Sequence, residues 1–327
     1  MNTKTKYLGL ELKNPIIVSS SRLTGSYEKV MECVENGAGA VVLKSLFEEQ
    51  IITDIEEKLK NNEMYFWYPE ATNFVKKISK EHGVNEYFNL IKKVKANADI
   101  PIIASVNCTT SQEWPAFAKD LEAAGADAIE LNIAIFPFDE NVESKDIENL
   151  YIEILKAVKA EVSIPVSVKL GPCFTNISGM VSQLDAAGVD GIVLFNRFFR
   201  PDINIDKGTV FYDNYLSEPS EMTQSLRWIG LLSGKVKCDI AASTGIHDYQ
   251  AVIKQIMAGA DAIAVCSVLY KKGIPYLKEI IAELEAWMKK NNVGSFDQIK
   301  GKINFGQENH AEFERVQFMR KTTGILG

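Results

Sequence analysis

The amino-acid sequence predicts an α/β protein, a (β/α)8 TIM barrel with long insertions after its second and sixth strands. Three observations predict this fold: the chain length, a repeated helix-to-strand corner, and the alternation of buried strands with amphipathic stretches. The chain has 327 residues, and a barrel of this class typically takes about 250. We therefore expect a single domain over residues 1–327, with a C-terminal tail from about residue 295.

The repeated corner is a short phrase in which a glycine precedes an apolar run. It occurs as ENGAGAVVL at 35–43, EAAGADAIEL at 122–131, DAAGVDGIVL at 185–194 and IMAGADAIAV at 256–265. Glycine accepts the left-handed backbone conformation that ends many helices. The apolar run does not alternate with polar residues, which is typical of a strand buried on both faces.

The corners and the remaining apolar runs predict eight strands in chain order. These are Ile16–Val18, Ala40–Leu43, Ile102–Val106, Ala128–Leu131, Val166–Leu170, Gly191–Phe195, Asp239–Ser243 and Ala262–Val265. Amphipathic stretches predict helices at Ser26–Asn36, Asn85–Ala96, Ser111–Ala124, Asp146–Ala160, Ile177–Ala187, Glu221–Ser233, Asp248–Ala258 and Ile274–Lys290. An open doubly wound sheet is the alternative, but VSSSRLTG after the first strand is not the glycine-rich turn typical of that fold.

Two insertions, at about 47–84 and 197–219, follow strand ends, where barrels build their active-site loops. The aromatic residues Tyr65, Trp67 and Tyr68 in the first insertion are candidates for a lid over the barrel mouth, although local packing explains such a cluster equally well.

Composition excludes several functional classes. The net charge of −7 disfavours nucleic-acid binding. No apolar run approaches the roughly 20 residues of a membrane helix, and the N-terminus lacks an apolar signal-peptide core. These features predict a cytoplasmic protein with no membrane or nucleic-acid partner. The five cysteines never form CxxC and the three histidines are scattered, so no metal site is expected.

The ends of the predicted strands carry a ring of hydroxyls, amides and lysines. Since barrel chemistry occurs at these ends, the ring is the candidate site. It suits a large, polar, partly anionic ligand, whereas a glycosidase carboxylate pair and a metal-binding His/Asp ring are both missing from it. A lysine that ends an apolar strand must reach solvent or an anion, because its unpaired burial is costly. The members are Ser19, Ser20, Ser21, Lys44, Ser45, Asn107, Cys108, Asn132, Lys169, Asn196, Arg197, Ser243, Thr244, Gly245, Cys266 and Ser267.

The last two strand ends predict a phosphate site. Gly245 and the amides of Thr244 and Ile246 face Cys266 and Ser267 in such a barrel, and together they can donate hydrogen bonds to a phosphate near a helix N-terminus.

Seven motifs in order on these strand ends resemble the dihydroorotate dehydrogenase family of FMN-containing barrels along nearly the whole chain. They are NPIIVSSS (14–21), LKS (43–45), ELNIAIFPF (130–138), VKL (168–170), LFN (194–196), STGI (243–246) and CSV (266–268). The resemblance implies an FMN cofactor over the barrel mouth, a small-molecule substrate, a homodimer and a place in pyrimidine biosynthesis.

The resemblance also implies a role for each strand-end residue. It places Ser19, Ser20 and Ser45 beside the flavin ring or ribityl chain, Lys44 and Lys169 on flavin and ribityl oxygens, Asn107, Asn132 and Asn196 on flavin or substrate, and Ser243, Thr244, Gly245, Cys266 and Ser267 around the phosphate. Among these, Lys169 and Asn132 are also the candidate catalytic residues.

The sequence departs from the family at the residue that moves a proton. Family members carry a Cys or Ser in the loop after strand four, and this chain has Ile135 there. Oxidation of dihydroorotate itself is therefore not expected. A cysteine near a cation can act as a base, so Cys173, four residues after Lys169, is a candidate replacement, as is Cys108 after strand three. An inert cysteine is the alternative for both.

Three functions remain open. The first is an FMN-dependent oxidoreductase that acts on CH–CH groups of a small acid. The second is a non-catalytic or electron-relaying flavin module that serves a partner protein. The third is a flavin-free barrel of the phosphate-sugar aldolase or isomerase kind, in which Lys169 forms a Schiff base.

Overall fold

A computed structural model of the chain describes residues 2–47, 84–107, 113–133, 135, 139–198, 201–211 and 215–303. The predicted lid residues, Cys108 and the chain beyond 303 lie outside these ranges. The described strands are β1 (Thr5–Tyr7), β2 (Leu10–Leu12), β3 (Ile16–Val18), β4 (Ala40–Val42), β5 (Leu46–Phe47), β6 (Ile102–Asn107), β7 (Ala128–Asn132), β8 (Val166–Leu170), β9 (Gly191–Leu194), β10 (Asp202–Asn204), β11 (Thr209–Phe211), β12 (Asp239–Ser243) and β13 (Ala262–Val265).

Eight parallel strands close into a barrel, as the sequence predicts. Their order around the sheet is β4, β3, β13, β12, β9, β8, β7 and β6, and pairing of β4 with β6 closes the ring. The short β5 extends the same edge and also pairs with β6. Every predicted strand is present, and the bounds of four of them, such as Val166–Leu170 and Asp239–Ser243, are those expected.

The helices surround the barrel and follow the strands in sequence. They are α1 (Tyr27–Glu35), α2 (84–95), α3 (Glu113–Ala123), α4 (Ser144–Glu161), α5 (Ile177–Ala186), α6 (Met222–Leu232), α7 (Tyr249–Ala258), α8 (Ser267–Lys272) and α9 (Tyr276–Lys290). Asp248 begins α7 as expected, since its carboxylate accepts a hydrogen bond from the backbone N–H of Ala251. In the described parts of the chain, no helix has the length and apolar character needed to cross a membrane.

A hairpin formed by β1 and β2 closes the lower end of the barrel. Its residues Tyr7, Leu8 and Leu12 are almost fully buried and form one cluster with apolar side chains of the barrel interior. Leu8 lies against Gly191, where a side chain would collide with it: a Cβ there would be 2.6 Å from Leu8 Cδ2. The barrel is therefore plugged from below by the chain's own N-terminal region.

The barrel interior changes character along its axis. Because side chains alternate along a strand, Ala128 and Glu130 of β7 point inward in successive layers, as do Ile103 and Ser105 of β6. The lower layer is apolar and the upper layer is polar, with Ser105, Glu130 and Lys169 all buried. The polar layer lies directly beneath the mouth.

The insertion after β9 contains an antiparallel hairpin, β10 paired with β11, in which Ile203 faces Val210. Both side chains are exposed. The chain then returns to the mouth at residues 215–218.

Candidate active site

Nine of the thirteen residues that the resemblance assigns to the cofactor site line one cavity of about 130 Å³ at the C-terminal mouth of the barrel. They come from the ends of five strands that are neighbours in the sheet, β3, β13, β12, β9 and β8. The nine are Ser19, Ser20, Lys169, Asn196, Ser243, Thr244, Gly245, Cys266 and Ser267. A second cavity of about 350 Å³ shares Asn196, Ser243 and Thr244 with the first. The two together reach the size of common ligand sites, which is roughly 300–1,000 Å³.

Two amides and a lysine meet at one side of this mouth. Asn132 and Lys169 are partners in the parallel register of β7 and β8. The Nδ2 amide of Asn196 donates a hydrogen bond to Oδ1 of Asn132 at 2.9 Å. This bond fixes the orientation of Asn132 and leaves its amide NH₂ group available as a donor toward a ligand.

Glu130 is the main residue that sequence reasoning missed. Its side chain is 5% exposed and one carboxylate oxygen, Oε1, lies 3.6 Å from Nζ of Lys169, which is itself 9% exposed. That oxygen has no hydrogen-bond partner within the described chain. The sequence analysis did not single out Glu130, because it interpreted the run AIEL as an apolar strand and gave its one charged residue no role. The anion that the sequence analysis expected near Lys169 is therefore the Glu130 carboxylate, inside the barrel.

Serine hydroxyls connect the mouth to the barrel interior. Ser45 Oγ lies 3.0 Å from Ser20 Oγ and 2.7 Å from Ser105 Oγ. The backbone N–H of Ser45 also donates to Ser20 Oγ at 2.9 Å. Ser45 therefore holds Ser20 in place from below.

The phosphate end of the predicted site has an unusual backbone. Thr244 and Gly245 have φ angles of 72° and 77°, in the left-handed region that a threonine rarely adopts. The Thr244 hydroxyl donates to the carbonyl of Phe195 at 2.9 Å, which helps to hold this conformation. Burial raises the pKa of Cys266, which lines the opposite wall.

Ser217, which the sequence analysis did not identify, closes over this end. Its Oγ accepts a hydrogen bond from the N–H of Gly245 at 3.2 Å, and its own N–H donates to Ser267 Oγ at 2.9 Å. The same hydroxyl lies 3.4 Å from Nε2 of His247. The pKa of His247 is lowered, chiefly by burial and then by Lys271. The Gly245 N–H is therefore directed at an oxygen acceptor, here the Ser217 hydroxyl, and a phosphate oxygen would have to share or replace that contact.

Arg197 brings a second cation to the mouth. Its guanidinium makes a two-pronged contact with Glu221, with N–O distances of 2.7 and 3.1 Å, and it lines both mouth cavities.

A third cavity of about 270 Å³ brings Ile135 and Cys173 together. Ile135 follows β7 and Cys173 follows β8, so adjacent strands deliver them. Cys173 is exposed, unlike Cys33 and Cys238, which are buried. Burial raises the pKa of both buried thiols.

Four of the residues that the resemblance assigns to the cofactor site lie outside the lining of the first mouth cavity, and one of them, Asn132, is joined to it by the hydrogen bond with Asn196. Ser45 reaches it through Ser20, as described above. Lys44 is half-buried and packs against Gly25: a Cβ added to that glycine would lie 3.3 Å from Lys44 Cδ. Asn107 ends β6 on the opposite side of the barrel and is half-buried. Within the described residues, no cluster of His, Cys, Asp and Glu could hold a metal ion.

Comparison with known proteins identifies the family. The dihydroorotate dehydrogenase family model matches residues 2–288. The chain belongs to the dihydroorotate dehydrogenase family. Among similar proteins are the dihydroorotate dehydrogenase B (NAD(+)) catalytic subunits of Thermoplasma volcanium, 28% identical over 310 residues, and of Methanocaldococcus jannaschii, 29% identical over 309 residues. Each alignment covers 91% of this chain and 97% of the relative. The dihydroorotate dehydrogenase A (fumarate) of Lactobacillus helveticus is 27% identical over 320 residues, 93% of this chain and 99% of the relative.

Membership makes the chain an FMN-dependent oxidoreductase, and the side chains at its mouth fit that cofactor. Lys169 offers a cation, Asn132 a fixed amide and Gly245 a backbone N–H directed at an oxygen acceptor. A flavin mononucleotide needs these three kinds of group along its length, because it combines a polar ring edge, a ribityl chain and a phosphate.

Proposed function

We propose that this chain transfers a hydride between FMN and a carbon–carbon bond of a small organic acid other than dihydroorotate. The observation that carries the proposal is the contrast at the mouth: Lys169, Asn132 and Asn196 converge there, while Ile135 occupies the neighbouring loop. Bound FMN supplies a hydride acceptor and donor. An isoleucine supplies no group that can move a proton.

The proposed roles follow from the contacts. The Lys169 ammonium stabilises negative charge on the reduced flavin, a common way for a protein to tune this cofactor. Asn132, oriented by Asn196, binds the polar end of flavin or substrate. Cys173 is the candidate proton-transfer residue, because it lines the same cavity as Ile135 and reaches it from the adjacent strand. Ser217, Gly245 and Ser267 form the phosphate end of the cofactor site.

A partner protein is part of this proposal. Two of the relatives above are named as catalytic subunits of NAD(+)-dependent enzymes, a name that implies at least one further subunit. We extend this to the present chain, so that a partner accepts electrons from the flavin. Homodimer formation and a cytoplasmic location stay predictions of the sequence.

The second candidate function, an electron-relaying flavin module without its own substrate, rests on Ile135 alone. The aldolase-type alternative needs a free Lys169 amine, whereas the Lys169 nitrogen lies 3.6 Å from the Glu130 carboxylate and pairs with it. Borohydride trapping with a carbonyl substrate would detect a Schiff base on Lys169 if one formed.

The test begins with the visible absorption spectrum of the purified protein and the identity of any released chromophore. We expect a flavin spectrum and FMN. Under anaerobic conditions, dihydroorotate should bleach the flavin slowly or not at all. Fast bleaching would refute the interpretation that the loop with Ile135 lacks the group needed to oxidise dihydroorotate. A colourless protein that takes up no added FMN would refute the whole proposal. A flavin that small molecules cannot reduce or reoxidise without a protein partner would favour the electron relay.

A further inference from the structure

The third cavity, with Ile135 and Cys173 in its wall, adjoins the polar mouth. Gly171 lies two residues after Lys169, Phe198 two residues after Asn196, and Ile135 three residues after Asn132. All three lining residues therefore continue the strands whose ends form the mouth. A ligand that contacts Asn132, Lys169 and Asn196 has this cavity directly beside it.

The outer wall of the cavity is one face of α4. Ser144, Ile147, Glu148 and Tyr151 line it, and their spacing of three or four residues puts them on the same side of the helix. Tyr151 packs edge-to-face against Phe174 with ring centres 5.4 Å apart. Its hydroxyl is occupied, since it donates to the Ile133 carbonyl at 3.0 Å. Tyr151 therefore presents its ring, rather than its polar end, as a wall.

The inner wall exists because Gly171 has no side chain. The ring of Phe198 lies so close that a Cβ on Gly171 would be 2.3 Å from its Cζ atom. This close approach lets Phe198 lie against the loop after β8 and line the cavity. With Ile135, Ile147, Tyr151 and Phe174, it gives the cavity an aliphatic and aromatic lining.

Charge limits what can enter. Among the described lining residues, Glu148 is a carboxylate and none is a lysine, arginine or histidine. A second anionic group on a ligand would meet the like charge of Glu148, which is unfavourable in a partly buried site.

Size points to a bulky group. A cavity of about 150 Å³ lined by apolar side chains is large enough to bind benzene. The cavity here is about 270 Å³. It therefore has room for an aryl ring or a short branched alkyl chain.

We infer that this cavity is a substrate subsite for an uncharged aryl or alkyl substituent, and that the substrate is a mono-acid conjugated with a carbon–carbon double bond. This inference rests on the function proposed above. The acid group lies on the Asn132 amide, and the substituent lies between Tyr151 and Phe198. Dihydroorotate carries no such substituent.

The reaction balances with the flavin as the only redox partner. In the reducing direction, the two-electron-reduced flavin gives a hydride to the carbon that bears the substituent. The double bond becomes single, and the carbon beside the acid group takes one proton from the Cys173 thiol or from solvent. The flavin ends oxidised. The reverse reaction returns the hydride to the flavin and the proton to the thiolate or to water.

Binding to the oxidised, FMN-loaded protein tests the subsite without requiring turnover. Cinnamate, crotonate and fumarate would each be titrated while the flavin absorption spectrum is followed. Burial of a phenyl-sized group contributes about 1.5–3 kcal/mol, so cinnamate should bind at least about tenfold more tightly than crotonate. Fumarate, with its second carboxylate, should bind no better than crotonate. If fumarate or crotonate bound as tightly as cinnamate, or more tightly, the inference would be overturned.

Two variants that fill the cavity test whether the substituent of the ligand binds there. Ile147→Trp and Thr175→Trp each place an indole in the cavity from a different wall, and Thr175 is exposed on a loop, so its variant should fold even if the other does not. Either one should abolish the preference for cinnamate and leave the crotonate and FMN affinities unchanged. Asn149→Trp, at an exposed position of α4, is the matched control and should keep the preference.

The outcomes separate the two levels of the argument. Bound FMN with no preference for cinnamate, or with a preference that both filling variants retain, overturns the subsite and leaves the oxidoreductase standing. A protein without FMN, and unable to take it up, removes the proposed function and the subsite together.

Discussion

Ile135 stands at the position where the family resemblance implies a proton-transferring Cys or Ser, and this interpretation can be tested by placing a thiol there. In Ile135→Cys, a proton-transfer group returns to the loop after β7, and such groups contribute typically 10²–10⁴-fold to a rate. We expect flavin reduction by dihydroorotate to rise by about 10²-fold over the natural chain. Stopped-flow absorbance of the flavin would measure it.

The control for this change is Ile135→Ala, which removes the same bulk without adding a proton-transfer group. An equal rise in the alanine variant would mean that steric blockage, rather than the missing base, limits the natural chain. No rise in either variant would place the difference elsewhere at the mouth.

Glu130 and Lys169 form a buried ion pair whose contribution to stability depends on the presence of both partners. Removing one charge leaves the other buried and uncompensated, which costs about 3–5 kcal/mol, whereas replacing both by neutral groups is often nearly neutral. Glu130→Gln should therefore lower the free energy of unfolding by about that amount. The double variant Glu130→Gln/Lys169→Met should recover most of the loss. Urea unfolding of all four proteins, with Lys169→Met included, gives the coupling energy.

An additive double variant would show that the 3.6 Å contact contributes no coupling. Because Lys169 is also proposed to contact the flavin, the unfolding series is best done on protein stripped of cofactor.

At the scale of elements, the loop after β8 depends on a contact that only glycine permits. A Cβ on Gly171 would be 2.3 Å from the Phe198 ring, so Gly171→Ala forces the ring to move. Overpacking of this kind costs about 1–3 kcal/mol. The double variant Gly171→Ala/Phe198→Leu should relieve the strain and be more stable than Gly171→Ala alone. Thermal unfolding compares them, and a double variant no better than the single one would mean that the backbone, not the ring, absorbs the change.

Elements also show what sequence can and cannot predict. The barrel strands were predictable because each is largely apolar, and four of them follow a glycine, as in the segments before Ala128 and Ala262. The β1–β2 hairpin was missed because strands of three residues are too short for a periodic signal. The β10–β11 hairpin was missed for the same reason. The β1–β2 hairpin depends on tertiary contacts with the barrel interior rather than on a local pattern.

The candidate site divides in a similar way. Strand-end residues such as Lys169 and Asn196 were predictable because barrel topology brings strand ends together. Ser217 was not, since it reaches Gly245 from a loop 28 residues away in sequence. Glu130 required knowledge of which strand face points inward.

For the whole molecule, Asp239 links the N-terminal hairpin to the barrel. Its Oδ2 accepts a hydrogen bond from the Leu8 N–H at 2.6 Å. Burial, and then the neighbouring Asp261, raise the pKa of Asp239 from 3.8 to about 6. A raised carboxyl pKa means that the folded state holds its proton more tightly than the unfolded chain does. The resulting stability is fully present below about pH 4 and is lost as the pH rises through about 6.

Asp239→Asn should remove this pH-dependent loss of stability. The amide oxygen can still accept the hydrogen bond from the Leu8 N–H, and the amide side chain does not ionise. We expect the variant to gain stability relative to the natural chain as the pH rises from 4 to 7. Urea midpoints across that range measure it. Asp206→Asn, at an exposed position in the β10–β11 turn, is the control and should follow the natural chain. Parallel curves for Asp239→Asn and the natural chain would contradict the prediction.

The graded barrel interior has a consequence for how this chain could have evolved. The plug formed by Tyr7, Leu8 and Leu12 packs into the apolar lower layer and lines none of the three cavities described above. The mouth above the Glu130–Lys169 pair can therefore change its side chains while the apolar lower layer stays untouched. A duplicated gene could drift toward a new reaction at one end of the barrel and keep its fold through the other. Such a history would leave a family fold intact at only 28% identity to a relative.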